Sequence, residues 1–125
     1  MTSERNTAQP VHDEVLTKAV LNLVKCYGFS GKELSEIIGI SEASASRLHQ
    51  GKKYITAHTK EGELSLLLLR VYRGLHALIG DQHDKAQAWL RSANHYFNQT
   101  PLEHMKSVQG LVNVIQYLDA MRDRV

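Results

Sequence analysis

Two short segments, each opened by a helix-capping serine and closed by a glycine, constrain the fold of this chain more than any other feature. In the first, Ser30 is followed three residues later by Glu33, which is the reciprocal capping box that starts a helix, and Gly39 ends it. In the second, Ser41 caps a helix that ends at Gly51. The sequence therefore predicts two short helices joined by one tight turn.

Apolar residues at three- and four-residue spacing predict three longer helices. The first covers about residues 11–27 and ends at Gly28. A long helix covers about residues 60–79, and a last amphipathic helix covers about residues 107–121. No segment has the pattern of a strand, so we predict an all-α fold.

The segment between the long helix and the last helix contains further signals for the start of a helix. Asp81, after the break at Gly80, is predicted to cap a helix that holds Trp89. Residues 92–99 are polar and are interpreted as a loop. Thr100 lies three residues before a glutamate and directly before a proline, so the sequence predicts another capping box there.

The composition indicates a protein of a reducing compartment. Hydrophobic residues make up 42% of the chain, which suffices for a core, and the single Cys26 cannot form a disulfide framework. Residues 1–10 are polar and end in proline, which predicts a flexible leader without the apolar segment of a signal peptide. The longest apolar run, residues 66–69, is too short to cross a bilayer. We therefore expect a cytoplasmic protein with no membrane partner.

The charge distribution around the two short helices favours DNA as a partner. The net charge is only +2, but between residues 44 and 60 the charged residues are Arg47, Lys52, Lys53 and Lys60, with no acid among them. A local excess of this kind can bind a polyanion. The alternative interpretation of the charge alone is a solvated turn.

The second short helix has the pattern of a recognition helix in a helix-turn-helix. Ala45 and Leu48 face the first helix of the pair, and the opposite face is small and polar. An arginine and a glutamine there can reach base edges in the major groove, the glutamate at the helix start can accept from a cytosine amine, and the following lysines can contact phosphates. The predicted DNA-binding residues are Ser41, Glu42, Ala43, Ser46, Arg47, Gln50, Lys52 and Lys53. The alternative is a structural pair of helices whose solvated face binds nothing.

No residue pattern has the spacing of a catalytic or metal site. The seven histidines include no i, i+4 pair and no Cys/His set of the kind that binds zinc, so they are interpreted as surface residues. Cys26 lies near the apolar stripe of the first helix and is interpreted as a buried small residue. Because the chain also has no glycine-rich phosphate loop, we predict neither an enzyme nor a cofactor.

Both halves of the chain resemble known antitoxin domains. The residues ELSEIIGIS (33–41), SRL (46–48) and GK (51–52) resemble the Xre class of helix-turn-helix regulators. The second half resembles the toxin-binding domain of the Xre/MbcA/ParS antitoxins through ALIGD (77–81), AWL (88–90), Asn94, TPL (100–102), Ser107 and Gly110. The resemblance covers about residues 15–122. It departs from the family pattern at Ala93, where proline is usual, and at Asn98-Gln99, where glycine is common.

This resemblance implies a function and a partner. It implies an antitoxin that neutralises a RES-domain toxin, whose family consumes NAD, and that represses its own operon through the helix-turn-helix. Residues 11–56 would form the Xre-like DNA-binding module, and residues 57–125 a small helical module for toxin binding and dimerisation. Antitoxins of this group are similar in placing a C-terminal segment over the active-site entrance of the toxin. The residues predicted to contact the toxin are Trp89, Tyr117, Arg122, Arg124 and the terminal Val125.

Two other functions fit the same residues. One is a stand-alone repressor whose second half only forms a homodimer and binds no toxin. The other is a pure inhibitor whose helix-turn-helix has lost its affinity for operator DNA. Trp89 also has two interpretations, since it can be an interface anchor or a core aromatic between helices.

Overall fold

Seven helices account for the regular structure of residues 2–124. The computed structural model describes the backbone of residues 2–124 and the side chains of residues 11–124. Within these residues the only β pairing is an isolated bridge between Asn94 and Gln99, so the all-α prediction is confirmed. The helices are α1 (Thr2–Tyr27), α2 (Gly31–Ile38), α3 (Glu42–His49), α4 (Lys60–Ile79), α5 (His83–Arg91), α6 (Pro101–His104) and α7 (Val108–Asp123). None of these described helices combines the length and apolar character needed to span a lipid bilayer.

The local signals around the two short helices are confirmed. Ser30 Oγ accepts a hydrogen bond from the Glu33 N–H (3.0 Å), and the Glu33 carboxylate accepts one from the Ser30 N–H (2.9 Å). Gly39 ends α2 with a left-handed backbone (φ 74°), which glycine adopts at no steric cost. Ser41 Oγ accepts from the Ser44 N–H (3.0 Å) and so opens α3. The turn between α2 and α3 is therefore fixed by residues that satisfy the exposed ends of both helices.

The first helix begins earlier than predicted. The flexible leader predicted for residues 1–10 is not what the backbone shows, because α1 runs from Thr2 through Pro10 to Tyr27. The leader contains good helix formers such as Ala8, although Pro10 removes one backbone hydrogen bond from the helix. The proline was therefore a poor marker of the boundary.

Two predicted start signals further along the chain differ from the structure. Asp81 does not cap α5; the N-cap position belongs to Gln82, whose side chain makes no capping bond. The turn after Gly80 takes one residue more than predicted, and Asp81 instead lies 3.7 Å from a ring nitrogen of His76. Thr100 Oγ1 does accept from the Glu103 N–H (3.1 Å), but the Glu103 carboxylate pairs with a lysine, so only half of the second capping box forms.

The long helix α4 belongs to both halves of the protein. It packs against α1 and α2 on the N-terminal side and against α5 and α7 on the C-terminal side. Gly74 lets α7 approach closely, because a Cβ at this position would lie 3.1 Å from Leu118 Cβ. One hydrophobic core runs from Leu16 to Leu118 through both halves. The division into modules at residues 56 and 57, just before this shared helix, stays a prediction.

Candidate functional site

The exposed face of α3 is set by what the helix buries. Ser44, Ala45 and Leu48 turn inward, and Ala45 and Leu48 are at most 1% exposed. All residues predicted for the outer face, Ser41, Glu42, Ala43, Ser46, Arg47 and Gln50, are exposed, as is Lys52, while Lys53 is half-buried. The structure thus brings the predicted DNA-binding residues together on one solvent-facing surface.

Two cations of this surface converge on one hydroxyl group. Arg47 Nη2 lies 3.5 Å and Lys53 Nζ 3.4 Å from Ser44 Oγ. On the neighbouring part of the face, Gln50 Nε2 donates to Ser46 Oγ (3.2 Å). The arrangement places positive charge at one edge of α3 and neutral hydrogen-bonding groups beside it, which is the combination that phosphate contact and base contact require.

Sequence reasoning missed two residues that extend this surface. A shallow groove between the start of α2 and α3 is lined by Gly31, Lys32, Glu42, Ser46 and His49. Lys32 and His49 are both exposed. The spacing of Glu42, Ser46 and His49 at i, i+4 and i+7 could have indicated a second edge of the same face. The groove adds a lysine from α2 to the candidate DNA-binding surface.

The basic turn after α3 is anchored to α1. Thr17 Oγ1 accepts a hydrogen bond from the buried Ile55 N–H (2.7 Å), and Asp13 Oδ1 accepts from the Ala57 N–H (2.9 Å). These bonds fix the segment that follows Lys53 against the first helix. The candidate phosphate-binding lysines therefore lie on a defined backbone.

A salt bridge joins the helix-turn-helix to the second half of the chain. Arg91 donates to both carboxylate oxygens of Glu33 (2.8 and 2.9 Å) and to the carbonyl oxygen of Gly28 (2.8 Å). The hydrogen bonds from Arg91 lower the pKa of Glu33 to about 2, although burial by itself would raise it, and the pKa of Arg91 is raised by the same pairing. Because the two hydrogen bonds make the contact bidentate, Glu33 and Arg91 form a strong ion pair.

A second ion pair lies further along α2. Lys106 Nζ lies 3.0 Å from Glu36 Oε1 and 2.6 Å from Glu103 Oε2. Its pKa is raised, first by the hydrogen bond to Glu103. Two ion pairs from the second half therefore hold α2, at Glu33 and Glu36, and α3 packs on α2. This restrains the orientation of α3 relative to the second half.

An aromatic cluster forms the second candidate site. The rings of Trp89 on α5 and Tyr117 on α7 stack with their centroids 6.0 Å apart, and Phe97 packs edge-on against both. Trp89 and Tyr117 also line an apolar groove of about 410 Å³ with Leu78, Lys85 and Met121. Trp89 therefore packs between helices, as one interpretation of the sequence predicted, and its remaining surface lines the groove. Its role as an interface anchor stays a prediction.

The other residues predicted to contact the toxin are distributed differently. Tyr117, Met121 and Arg124 follow each other at four- and three-residue spacing, so they share one face at the end of α7. Arg122 lies on a neighbouring face, 3.7 Å from a carboxylate oxygen of Asp119. Val125 lies outside the described residues.

Sequence reasoning missed Tyr96, which extends the aromatic cluster. Its side chain is 69% exposed, although its ring lies 5.0 Å from that of Tyr117 and 5.2 Å from that of Phe97. The neighbouring Asn98 has a positive φ of 59° that helps turn the loop back. A tyrosine at the tip of a polar loop gave no periodic signal, because only tertiary packing places it on the cluster.

The described part of the chain contains no cluster of titratable side chains that could form a metal site. No group of three or more histidine, cysteine or carboxylate residues could hold a metal ion between residues 11 and 124. Cys26 is a free thiol and half-buried, and its carbonyl oxygen accepts from Gln87 Nε2 (2.9 Å). The two surfaces described above are therefore the candidate sites.

The geometry defines a class of protein, a helix-turn-helix protein with a second exposed surface, the aromatic cluster of Trp89 and Tyr117. Two family models match it. The antitoxin Xre-like helix-turn-helix domain matches residues 7–70, just over half of the chain, and the antitoxin Xre/MbcA/ParS C-terminal toxin-binding domain matches residues 75–124. The chain belongs to the Xre-like antitoxin family and combines a DNA-binding domain with a toxin-binding domain. A search of curated proteins found no match. The family resemblance stated from the sequence is confirmed.

Proposed function

We propose that this antitoxin neutralises a RES-domain toxin that consumes NAD, and that it represses its own operon as a homodimer. One observation carries the proposal: a single hydrophobic core supports two exposed surfaces. The first is the polar and basic face of α3, and the second is the aromatic groove next to the C-terminal end of α7. The first surface suits a DNA duplex. The second suits an apolar segment of a partner protein.

For DNA, the proposal assigns base contacts to the exposed side chains of α3 and of its C-cap residue Gln50, and phosphate contacts to the lysines beside the helix. Arg47 can form two hydrogen bonds with a guanine edge, and Gln50 can do so with an adenine edge. Lys52, Lys53 and the newly placed Lys32 are proposed to neutralise phosphates, so operator affinity should fall steeply as salt rises. Ser41 and Glu42 lie at the N-terminal end of the helix, which in this class enters the groove.

The test of the DNA surface is operator binding by Arg47→Ala. We expect a loss of about 1–3 kcal/mol in discrimination at one base pair, with a smaller change for other sequences. Lys25→Ala is the matched control, because it removes one exposed positive charge at the end of α1 and should leave base preference unchanged. If Arg47→Ala binds the operator with unaltered preference, the assignment of the reading face is wrong.

For the toxin, the proposal places the apolar contact at the groove of Trp89 and Tyr117 and the blocking contact at the C-terminal end. Large aromatic side chains in partly open pockets are the usual anchors of protein interfaces. Arg124 shares the face of Tyr117, so it is the better candidate of the two arginines to reach the toxin, whereas Arg122 is engaged by Asp119. Tyr96 would widen the apolar contact.

The test of the toxin surface is co-expression with the product of the adjacent gene, with complex formation, cellular NAD and growth as readouts. The intact chain should bind the toxin and restore NAD. Deleting residues 122–125 should keep the complex but reduce the rescue of NAD, and Tyr96→Ala should weaken the complex. Val108→Ala is the control, since Val108 is an exposed apolar residue (57%) outside the aromatic cluster. No complex and no rescue would favour the stand-alone repressor, and rescue without operator binding would favour the pure inhibitor.

A further inference from the structure

One hydrogen bond fixes the tautomer of the His49 ring. His49 is the last residue of α3, and its Nδ1 atom lies 3.0 Å from the carbonyl oxygen of Ala45, one turn earlier. A carbonyl oxygen only accepts, so Nδ1 must carry the hydrogen atom and donate it. In the neutral ring Nε2 is then an acceptor, and the described residues give it no hydrogen-bond partner. The end of α3 therefore presents a ring acceptor whose own partner is still missing.

The His49 ring borders the shallow groove between α2 and α3. The other side chains that line this groove are Lys32 at the start of α2 and Glu42 and Ser46 of α3. Lys32, Glu42 and His49 are exposed, and no ion pair between described residues includes Lys32 or Glu42. The groove thus combines two acceptors, the Glu42 carboxylate and His49 Nε2, with the positive charge of one lysine.

An acceptor on this face can bond to only one kind of group in the major groove of DNA. The phosphate oxygens accept, as do guanine O6 and N7 and thymine O4, whereas the donors are the N4 amine of cytosine and the N6 amine of adenine. A neutral His49 therefore has no bond to offer a phosphate, and the Glu42 carboxylate would repel one. Seven residues of helix separate these two acceptors by about 10 Å along the axis, so they face different base pairs.

We propose that His49 is a specificity-determining residue that reads the exocyclic amine of an adenine or a cytosine through Nε2. Its base pair differs from the one that Glu42 contacts, and Lys32 contacts a neighbouring phosphate. Each base pair carries one such amine in the major groove, so the preference is for A or C over G or T on the strand that His49 faces. The inference deepens the DNA-binding function proposed above and rests on it.

Protonation of His49 reverses this preference. A ring that takes up a proton at Nε2 donates from both nitrogens, and it then suits guanine O6 or thymine O4 in place of an amine. Histidine is the side chain whose charge ordinarily changes between pH 8 and 5.5, whereas lysine and carboxylate side chains ordinarily keep theirs. The charged groups that line the groove with His49 are Lys32 and Glu42, and Lys52 and Lys53 follow α3 outside it. Acidification to pH 5.5 therefore acts in this groove through His49.

The first test selects duplexes from a random pool with the purified full chain at pH 8. The unmodified chain should select A or C at one position, and His49→Ala should reduce this preference by about threefold to tenfold, as expected for the loss of one hydrogen bond. Preferences at the other positions should remain. His95→Ala is the matched control, because it removes an exposed histidine from the loop between α5 and α6 and should leave every preference unchanged. Circular dichroism should show an unchanged helix content in both variants.

The second test repeats the selection at pH 5.5. The unmodified chain should lose its preference for A or C at this position or reverse it in favour of G or T. His49→Gln should keep the preference at both pH values, because its amide oxygen accepts at either pH. A purely structural role of His49 would not produce this difference between the two chains.

Three results would overturn the proposal. They are an unchanged preference in His49→Ala, a preference of the unmodified chain that does not depend on pH, and the same pH dependence in His49→Gln as in the unmodified chain. A chain that binds no duplex of the pool would overturn the DNA-binding function itself and this inference with it. Failure of the reading by His49 and failure of the proposed function therefore give different results.

Discussion

Replacing Arg91 with alanine should loosen the connection between the helix-turn-helix and the toxin-binding half. The substitution removes both hydrogen bonds to Glu33 and the one to the Gly28 carbonyl. A pKa lowered from 4.5 to about 2 would correspond to about 3 kcal/mol for a pair shielded from water. Because the Arg91 side chain is 41% exposed, solvent screening reduces this to about 1–2 kcal/mol. The carbonyl bond adds about 1 kcal/mol, so we expect Arg91→Ala to lose about 2–3 kcal/mol of unfolding free energy.

The contribution of the Glu33–Arg91 pair should depend on pH in a defined direction. The pKa of Glu33 is lower in the folded chain (about 2) than its ordinary value of 4.5. The carboxylate therefore stabilises the fold fully above about pH 4.5, and this stabilisation is lost as the pH falls towards 2. The difference in unfolding free energy between the unmodified chain and Arg91→Ala should accordingly shrink over that range.

Urea unfolding of Arg91→Ala, Glu33→Gln and the double variant at pH 7 measures the coupling energy between the two residues. We expect about 1–2 kcal/mol. Arg91→Lys is the control, because it keeps the charge without the two-pronged geometry and should recover only part of the loss. A coupling energy indistinguishable from zero at pH 7, or a coupling that grows as the pH falls, would refute the reasoning.

Two further substitutions test the packing of the second half and of α4. Gly110→Ala should destabilise the chain by at least about 3 kcal/mol in urea unfolding, because its Cβ would fall on the backbone carbonyl oxygen of His104. At Gly31 a Cβ would meet no described atom within 4 Å, so Gly31→Ala should change stability by less than about 0.5 kcal/mol. Equal effects of the two changes would contradict the packing of α6 on α7. Ser65→Ala should raise the unfolding free energy by about 0.5–1 kcal/mol. The Ser65 hydroxyl is fully buried and has no hydrogen-bond partner among the described residues, and alanine is the better helix former. A clear loss of stability in this variant would show that the hydroxyl has a stabilising contact.

The sequence by itself determined the helical elements and the recognition face, because these depend on short-range chemistry. A serine that caps a helix bonds to a backbone N–H three residues away, as Ser30 and Ser41 do, and a glycine that ends a helix needs only its own backbone freedom, as Gly39 does. The buried positions of α3 follow from helical spacing, so the residues on its opposite face could be named. The prediction failed at Asp81, where a turn of one more residue moved the cap, since its length depends on the backbone conformation after Gly80.

Only the tertiary structure decided how distant residues meet. Glu33 and Arg91 are 58 positions apart, and no local pattern indicates that they form a bidentate pair. Trp89, Tyr96 and Tyr117 come from a helix, a loop and another helix, and their rings gather because α5, the loop and α7 pack on one core. The pairing of residues far apart in the chain depends on the angles and distances between helices. Those are set by the whole core, and the spacing of residues along one element does not contain them.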